Sequence, residues 1–335
     1  MAVSRINEAG LNVNQYGNRN LIINGKMEIA QRGTSSSSNG YQTVDRMFMN
    51  LSGGTATMSQ EEATLGSEVD DQFQYWLKID TTTGDNNCGL IYKVENVRAL
   101  REGKATFSFY AKGTNPNGGS YTVGMQRLPA GSGGSTLDTP LNSTVTITST
   151  WTRYTFTFDV PALANTVTET AGSQLYLYVL QPSGDASTNA WELNITGMQL
   201  EQGDTATDFE HRTFADELAK CQRYLYRIGG ATYTRIGTGF SYNTTAHNTP
   251  VPLPVSMRAV PTLTTSDLSG GSTFAVYHAN ANLAAVSNIV VESGGTDPTH
   301  VLSINSTTSG LTQGDVGILV TNNNTSAFLQ FDAEL

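Results

Sequence analysis

The sequence predicts an all-β protein made of two antiparallel β-sandwiches joined by a short helix. Its 335 residues exceed the usual size of one domain, so two domains are expected. The chain holds 33 glycines and many Thr, Ser and Asn residues, and only 14% of its residues are charged. Helices favour Ala, Glu, Lys and Leu, whereas this composition is typical of short strands separated by turns.

Residues 1–20 form the first segment and carry few apolar residues at any regular spacing. They are too polar to fold alone, and they do not have the composition of a simple Gly/Ser linker. We expect an arm that a partner orders. A frayed terminus is the alternative.

Residues 21–212 are predicted to form the first sandwich. About ten strand-like runs follow one another, separated by clusters of Gly, Asp and Asn. In residues 105–111, Phe107 and Phe109 point to one face and alternate with polar residues on the other, as in a strand with one face in a core. A series of this kind favours a two-sheet jelly roll and excludes a parallel βαβ architecture.

Residues 213–222 carry the one convincing helical pattern of the chain. Thr213 is placed as an N-cap, with Asp216 at the third helical position. Residues 222–228 also have the pattern of a strand, so the helix is expected to end near Cys221. Strand-like runs then continue through residues 223–335, which are predicted to form a second, smaller sandwich.

Short motifs occur in a fixed order along residues 20–228. They are NLIING at 20–25, QRGT at 31–34, Asp45–Arg46, ATFSFYAKG at 105–113, WTRYTFTFDVP at 151–161, and the junction at 197–227 that contains QLE, FEHR and ELAKCQRY. This series resembles a large group of phage tail-fibre and related virion proteins, in which a jelly roll similar to carbohydrate-binding modules precedes the junction. Met47 departs from the pattern, because an aromatic residue usually follows the Asp–Arg pair directly.

The resemblance implies a bacteriophage virion fibre. The N-terminus has no basic-then-apolar signal pattern, so we expect synthesis in the host cytoplasm. The resemblance also implies a homotrimer, but it says little about the ligand. We expect attachment to other virion proteins through residues 1–20 and binding to a host surface glycan. A head fibre or capsid decoration protein is one alternative, and a glycan depolymerase or esterase is another.

Composition also bears on partners. The formal net charge of −10 disfavours nucleic acid, because phosphate binding needs clustered Lys and Arg. No apolar run approaches the roughly twenty residues of a membrane span, so no membrane insertion is expected. Cys88 and Cys221 are predicted to be buried thiols rather than a disulfide.

The search for catalytic residues gives none. The four histidines are dispersed, and no HExxH, GxSxG or phosphate-binding loop is present. Glu61–Glu62 and Asp70–Asp71 are adjacent pairs, and neighbours on a strand point to opposite faces, so neither pair makes a glycosidase site. We therefore expect a protein that is not an enzyme.

Two kinds of ligand site are predicted. Sugars stack on exposed aromatic rings beside amides and carboxylates, which makes Tyr110, Tyr121 and Tyr242 the candidate ligand-binding residues. Trp151 and Trp191 lie inside strand motifs and are expected in the core. A structural calcium ion at Asp80, Asp85 and Asn87 is the second hypothesis, against an ordinary Asx-rich turn. No other cofactor is expected.

Overall fold

The computed structural model describes residues 19–51, 53–64, 69, 72–83, 88–96, 99–100, 102–114, 118–128, 140–162, 174–182, 190–266, 268, 273–278, 282–291 and 301–335. Within these ranges the chain consists of antiparallel strands and one helix, and it divides into two compact units between Glu217 and Leu218. The prediction of an all-β chain with two antiparallel sandwiches joined by a short helix is confirmed. No helix in these ranges is long and apolar enough to span a membrane.

The described elements are numbered in chain order. In the first unit the strands are β1 Ser35–Ser36, β2 Gly40–Tyr41, β3 Met47–Asn50, β4 Thr55–Glu62, β5 Tyr75–Thr83, β6 Gly89–Val94, β7 Gly103–Gly113, β8 Tyr121–Leu128, β9 Leu141–Val145, β10 Thr152–Val160, β11 Gln174–Pro182 and β12 Trp191–Gln202. Helix α1, Phe214–Gln222, follows them. The second unit has β13 Leu225–Gly229, β14 Arg235–Ser241, β15 Ala246–Pro252, β16 Thr262–Thr265, β17 Phe274–His278, β18 Asn282–Ala285, β19 Asn288–Val291, β20 Val301–Thr307, β21 Val316–Thr321 and β22 Phe328–Asp332.

The described residues of the first unit form two six-stranded sheets. Sheet I has the order β1–β4–β5–β12–β7–β10, and sheet II has the order β2–β3–β6–β11–β8–β9. One core fills the space between them, with Phe107 and Phe109 from sheet I and Leu177 from sheet II fully buried. The two phenylalanines therefore point into the core, as their alternation along β7 predicts.

The opening motifs act through buried hydrogen bonds. The side-chain amide of Asn24 donates to the carbonyls of Ile29 and Asp45, at 2.8 and 3.0 Å. Asp45 in turn accepts from the backbone N–H of Gln31 at 2.9 Å. These side chains satisfy backbone groups that no strand pairs, so this part of the motif series holds the chain path in place.

The junction motif forms a second buried network. Glu201 accepts from the backbone N–H and the hydroxyl of Thr207, at 2.9 and 2.7 Å, and pairs with Arg19 at 3.4 Å. Arg212 pairs with Glu210 at 3.1 Å and with Glu217 at 3.4 Å. Each charge has partners, which is the condition for burying it without a large desolvation penalty.

Helix α1 begins after Thr213, whose hydroxyl oxygen accepts from the backbone N–H of Asp216 at 3.2 Å. The same hydroxyl donates to the Asp216 carboxylate at 2.6 Å. The N-cap prediction is confirmed.

Cys88 and Cys221 are both buried and do not form a disulfide bond. The prediction that they are buried thiols is confirmed.

The second unit packs a three-stranded sheet against a seven-stranded one. Sheet III has the order β13–β22–β16, and sheet IV has the order β18–β17–β21–β14–β15–β20–β19. Their facing sides form one core, which includes Leu329 and Phe331 from sheet III and Val276, Leu302 and Leu319 from sheet IV. The opposite face of sheet IV carries exposed apolar side chains.

Candidate functional site

An open cleft of about 420 Å³ crosses the outer face of sheet II in the first unit. Five strands contribute to it, because the sheet is antiparallel and each strand places every second side chain outward. The lining residues are Asn50, Ile91, Thr122, Gln126, Pro140, Asn142, Tyr176, Tyr178 and Leu180.

Strand β11 supplies the two aromatic rings of the cleft. Its apolar residues Leu175, Leu177 and Val179 point into the core and are at most 1% exposed. Tyr176 and Tyr178 occupy the alternate positions, so both rings lie on the outer face and are only partly buried. Residues two apart on a strand are about 6.7 Å apart. The cleft therefore has a pair of adjacent aromatic side chains along one strand.

A glycine makes room for the second ring. In the register of sheet II, Gly124 on β8 lies directly opposite Tyr178. A Cβ atom at Gly124 would lie 2.7 Å from Cε2 of Tyr178 and 2.5 Å from Oδ1 of Asn142, both too close for a real side chain. The absence of a side chain at this position lets the Tyr178 ring extend across β8.

Amides and hydroxyls surround the rings. Asn142 on β9 pairs with Gly124, and the Tyr178 hydroxyl donates to the Asn142 side-chain oxygen. Gln126 lies opposite Tyr176, and Thr122 lies opposite Leu180. The hydrogen bond from Tyr178 fixes the ring and leaves the Asn142 NH₂ group available as a donor along the rim.

The described lining of the cleft is uncharged. Burial raises the pKa of Tyr176 and of Tyr178 above the usual 10, so both hydroxyls stay protonated well above neutral pH. None of the nine lining residues carries a charge. Lys93 lies beyond them, with Nζ 5.3 Å from the centroid of the Tyr176 ring. This arrangement suits an uncharged ligand with an apolar face and hydroxyl groups along its edges.

Tyr110, predicted as a ligand residue, lies on the outer face of sheet I. Its ring is half-buried and packs against Phe73, with 5.2 Å between centroids, and the Arg153 guanidinium lies 5.8 Å from its centroid. Phe73, Trp76, Val69 and Phe209 form a small cluster there, against which Tyr110 and Trp151 pack. The structure therefore places Tyr110 in a packing role.

Tyr121 was predicted at a surface, and that prediction is wrong. Its side chain is 0% exposed, and its ring meets Trp191 edge to face with centroids 5.9 Å apart. Its hydroxyl donates to the carbonyls of Thr114 and Glu192, at 2.8 and 3.0 Å. Desolvation raises the pKa of Tyr121. The ring is buried because alternate residues of a strand share a face, and Tyr121 lies on the inward face of β8 with Val123 and Met125.

Tyr242 belongs to the second unit, where it follows β14 and is 65% exposed. Its backbone N–H donates to the carbonyl of Ala246 at 2.9 Å, so it lies at a tight turn between β14 and β15. It is not among the lining residues of the cleft on sheet II. Trp191 lies in the core as expected, whereas Trp151 is only partly buried.

The structure describes only one of the three residues of the predicted calcium site. Asp80 lies on the outer face of sheet I, where its carboxylate is 3.2 Å from the Lys78 ammonium. A hydrogen bond to Glu192 chiefly raises the pKa of Lys78, which keeps the ammonium charged beside both carboxylates. Asp85 and Asn87 lie outside the described residues. A calcium site there stays a prediction.

Sequence reasoning missed Tyr176 and Tyr178, although a signal was present. The run QLYLYVL at residues 174–180 alternates aromatic with aliphatic residues. Because the aliphatic set takes the core side of a half-buried strand, both tyrosines had to point outward. Their amide neighbours come from distant strands and carry no comparable local signal.

No protein-family model and no curated protein matches the chain. Several solved structures are similar to it, at low identity. A protein described as sugar-binding, from Bacteroides thetaiotaomicron VPI-5482, is 16% identical with a TM-score of 0.36, covering 55% of this chain and 100% of its own. The enzymatically active domain of tailspike protein 4 from bacteriophage CBA120 is 11% identical with a TM-score of 0.35, covering 55% of this chain and 21% of its own. The CBM22-1 xylan-binding domain of Paenibacillus barcinonensis Xyn10C is 15% identical with a TM-score of 0.30, covering 51% of this chain and 94% of its own.

Proposed function

We propose that the first unit binds a neutral glycan in the cleft on sheet II. The observation that carries this proposal is the pair of outward rings, Tyr176 and Tyr178, surrounded by amides and hydroxyls, with no charge on the described lining residues. A pyranose ring has one apolar C–H face and a rim of hydroxyls, and these match the two kinds of surface that the cleft offers.

Binding would proceed by stacking and edge recognition. The apolar face of a sugar ring covers Tyr178, which removes apolar surface from water on both sides. The Asn142 NH₂ group then donates to a sugar hydroxyl, and the Thr122 hydroxyl can donate or accept. Because Tyr178 is already held by Asn142, little side-chain entropy is lost on binding.

The open form of the cleft favours recognition of a stretch of polysaccharide rather than of a single buried sugar. Each stacked ring contributes on the order of 1–3 kcal/mol. One domain of this kind therefore binds weakly, and several copies joined together would bind far more tightly through avidity.

We further propose that the protein is a phage virion fibre that binds the host surface without catalysis. Support comes from the motif series in residues 20–228, whose members resemble those of tail-fibre and related virion proteins. In this proposal residues 1–20 attach the protein to other virion components, and a homotrimer multiplies the weak glycan contacts. Immunogold labelling of intact particles tests the location: tail labelling supports a tail fibre, and capsid labelling selects a head fibre or decoration protein.

Glycan binding is tested by isothermal titration calorimetry with oligosaccharides selected from an array of bacterial surface polysaccharides. Tyr178→Ala should lower the affinity for an array-positive neutral glycan by about 10- to 100-fold, as expected for the loss of one stacked ring. Tyr242→Ala is the matched control, since it removes an exposed tyrosine outside the cleft. Equal affinity of both variants, or binding of no neutral glycan, would contradict the proposal.

The same experiment separates binding from catalysis. If the protein is a depolymerase or esterase, incubation with the bound polysaccharide should shorten the chain or release acyl groups, which size-exclusion chromatography and NMR detect. We expect neither change.

A further inference from the structure

A second concave site lies in the second unit, on the outer face of sheet IV. It encloses about 240 Å³ and crosses four neighbouring strands. Its lining combines two tyrosines, one arginine and three aliphatic side chains: Tyr233, Arg235, Tyr277, Leu283, Ile318 and Val320. It shares no residue with the cleft on sheet II.

The strand register builds an apolar floor between two aromatic walls. Tyr277 on β17 pairs with Leu283 on β18 and with Ile318 on β21, so these three side chains form one row across the sheet. Val320 and Arg235 are opposite each other in the next row. Tyr277 is 46% exposed and Leu283 is 41% exposed, so much of the aromatic and aliphatic surface of the pocket is in contact with water.

Tyr233 is held over the pocket by a constrained turn. Its backbone has a φ of +54°, which is uncommon for a residue with a side chain. Its N–H donates to the Thr321 carbonyl at 3.0 Å, and the Thr321 hydroxyl donates to the Ala231 carbonyl at 2.6 Å. These bonds anchor the turn to β21 and maintain a backbone conformation that costs energy, while the Tyr233 side chain stays 51% exposed.

Among the described residues that line the pocket, Arg235 is the one that carries a charge. Among the described residues its guanidinium donates no hydrogen bond and forms no ion pair. An arginine beside exposed tyrosines, in a chain of net charge −10, is a local positive site on an acidic protein. A guanidinium binds a carboxylate through two parallel hydrogen bonds, whereas it gains less from a neutral hydroxyl.

We propose that this pocket binds a carboxylate-bearing sugar, such as a uronic or sialic acid. The carboxylate would pair with Arg235, and the apolar face of the sugar ring would lie against Tyr277 and the aliphatic floor. Such a ligand needs one charge, one aromatic surface and a small volume, and the pocket offers each of them. A stable protein partner would instead need about 800 Å² of surface on each side.

The test uses the full chain and saturation-transfer NMR with D-glucuronate, D-galacturonate and N-acetylneuraminate. D-glucose and D-galactose are the neutral controls. We expect signal transfer to at least one acid and to neither neutral sugar. Arg235→Gln should weaken binding of that acid at least about tenfold, and Arg235→Lys should give an intermediate loss because the charge remains without the fork.

A matched charge control separates the pocket from general electrostatics. Lys104→Gln removes one exposed positive charge from the first unit and should leave binding of the acid unchanged. Tyr178→Ala should also leave it unchanged, since the two sites are independent, so a failure of the neutral-glycan proposal does not affect this one. The pocket proposal is overturned if no acid gives a signal, or if Arg235→Gln binds as tightly as Lys104→Gln.

A competing role is tested in parallel, because Phe240 and Val316 also lie exposed on this outer face. Tyr277→Ala should abolish binding of the acid and leave the sedimentation coefficient unchanged. If it changes the oligomeric state instead, and the acids do not compete with assembly, the face is an interface between copies of the chain and the sugar site is rejected.

Discussion

Sheet I and sheet II of the first unit differ in what lies over their outer faces. On sheet I, Thr106, Ser108 and Gln199 point away from the core, yet each is at most 1% exposed. Residues 203–212 lie over them: the Thr106 hydroxyl donates to the Gly203 carbonyl at 2.8 Å. On sheet II the corresponding side chains, such as Tyr176 and Asn142, are partly or fully exposed.

This difference shows why residue type alone does not identify the site. Both outer faces carry aromatic rings next to amides. On sheet I these groups contact one another, as when the Nε1–H of Trp76, a member of the cluster around Phe73, donates to Asn194 at 2.9 Å. On sheet II the same chemistry faces solvent, so its hydrogen-bonding capacity remains available to a ligand.

The largest expected effect comes from weakening the contacts that hold residues 203–212 over the outer face of sheet I. Glu201→Ala would remove the buried carboxylate that pairs with Arg19 and accepts from Thr207, and should lower the free energy of unfolding by about 3–5 kcal/mol. Asp159→Ala, at an ion pair whose carboxylate is largely exposed, is the control and should lower it by no more than about 1 kcal/mol. Urea unfolding measures the free energy of unfolding of both variants. Equal losses of stability would show that the junction network does not hold residues 203–212 in place.

A smaller effect is expected from closing the space beneath Tyr178. Gly124→Ala introduces a methyl group within 2.7 Å of the Leu141 carbonyl and of the Tyr178 ring, and should destabilise the unit by about 1–3 kcal/mol. Because the ring must move, affinity for the neutral glycan should fall as well. Calorimetry that finds normal affinity in a folded Gly124→Ala variant would contradict the proposed role of the Tyr178 ring.

A pair of tyrosine variants sharpens the comparison between the two faces. Tyr176→Ala should reduce glycan affinity about 10-fold and change stability by less than about 0.5 kcal/mol. Tyr110→Ala should do the reverse, lowering stability by about 1 kcal/mol through its lost contact with Phe73 and leaving affinity unchanged. Thermal unfolding measures the stability of both variants, and calorimetry measures their glycan affinity. A loss of affinity in Tyr110→Ala, or normal affinity in Tyr176→Ala, would contradict the assigned roles.

The smallest effect concerns pH. Burial opposes ionisation of Glu192, but hydrogen bonds from Asn194 and Lys78 outweigh it and lower the Glu192 pKa below 4.5. A carboxyl whose pKa is lowered by folding contributes stability above its unfolded pKa and loses it as the pH falls through the folded value. The contribution on sheet I should therefore disappear below about pH 4.5, and it should be small because the pair is exposed.

Glycan affinity at sheet II should stay constant between about pH 5 and 9. The lining residues that the structure describes are uncharged, and the pKa values of both tyrosines lie above the usual 10. Calorimetry of glycan binding across this range checks the affinity. Urea unfolding of wild type and Glu192→Gln between about pH 3 and 6 checks the Glu192 contribution, which should be seen only in wild type. A sigmoidal affinity profile would indicate a titrating group that contacts the ligand.

Local patterns in the sequence were enough for the fold class and for several details of it. The two-residue period put Phe107 and Phe109 in the core, and Thr213 with Asp216 marked the start of the helix. The same period, applied to β8 and β11, would have turned Tyr121 inward and Tyr176 outward. The surface prediction for Tyr121 was wrong because it considered the adjacent loop and not the face of the strand on which the side chain lies.

The sequence by itself determined which side chains share a face of a strand, because that depends only on backbone geometry over a few residues. Only the tertiary structure decided which outer face stays open. Residues 203–212 return over sheet I, and Asn142 meets Tyr178 across β8 from 36 positions away in the chain. Those contacts depend on the non-local pairing of strands and on the packing of one segment over another, and periodicity along a single strand contains no information about either.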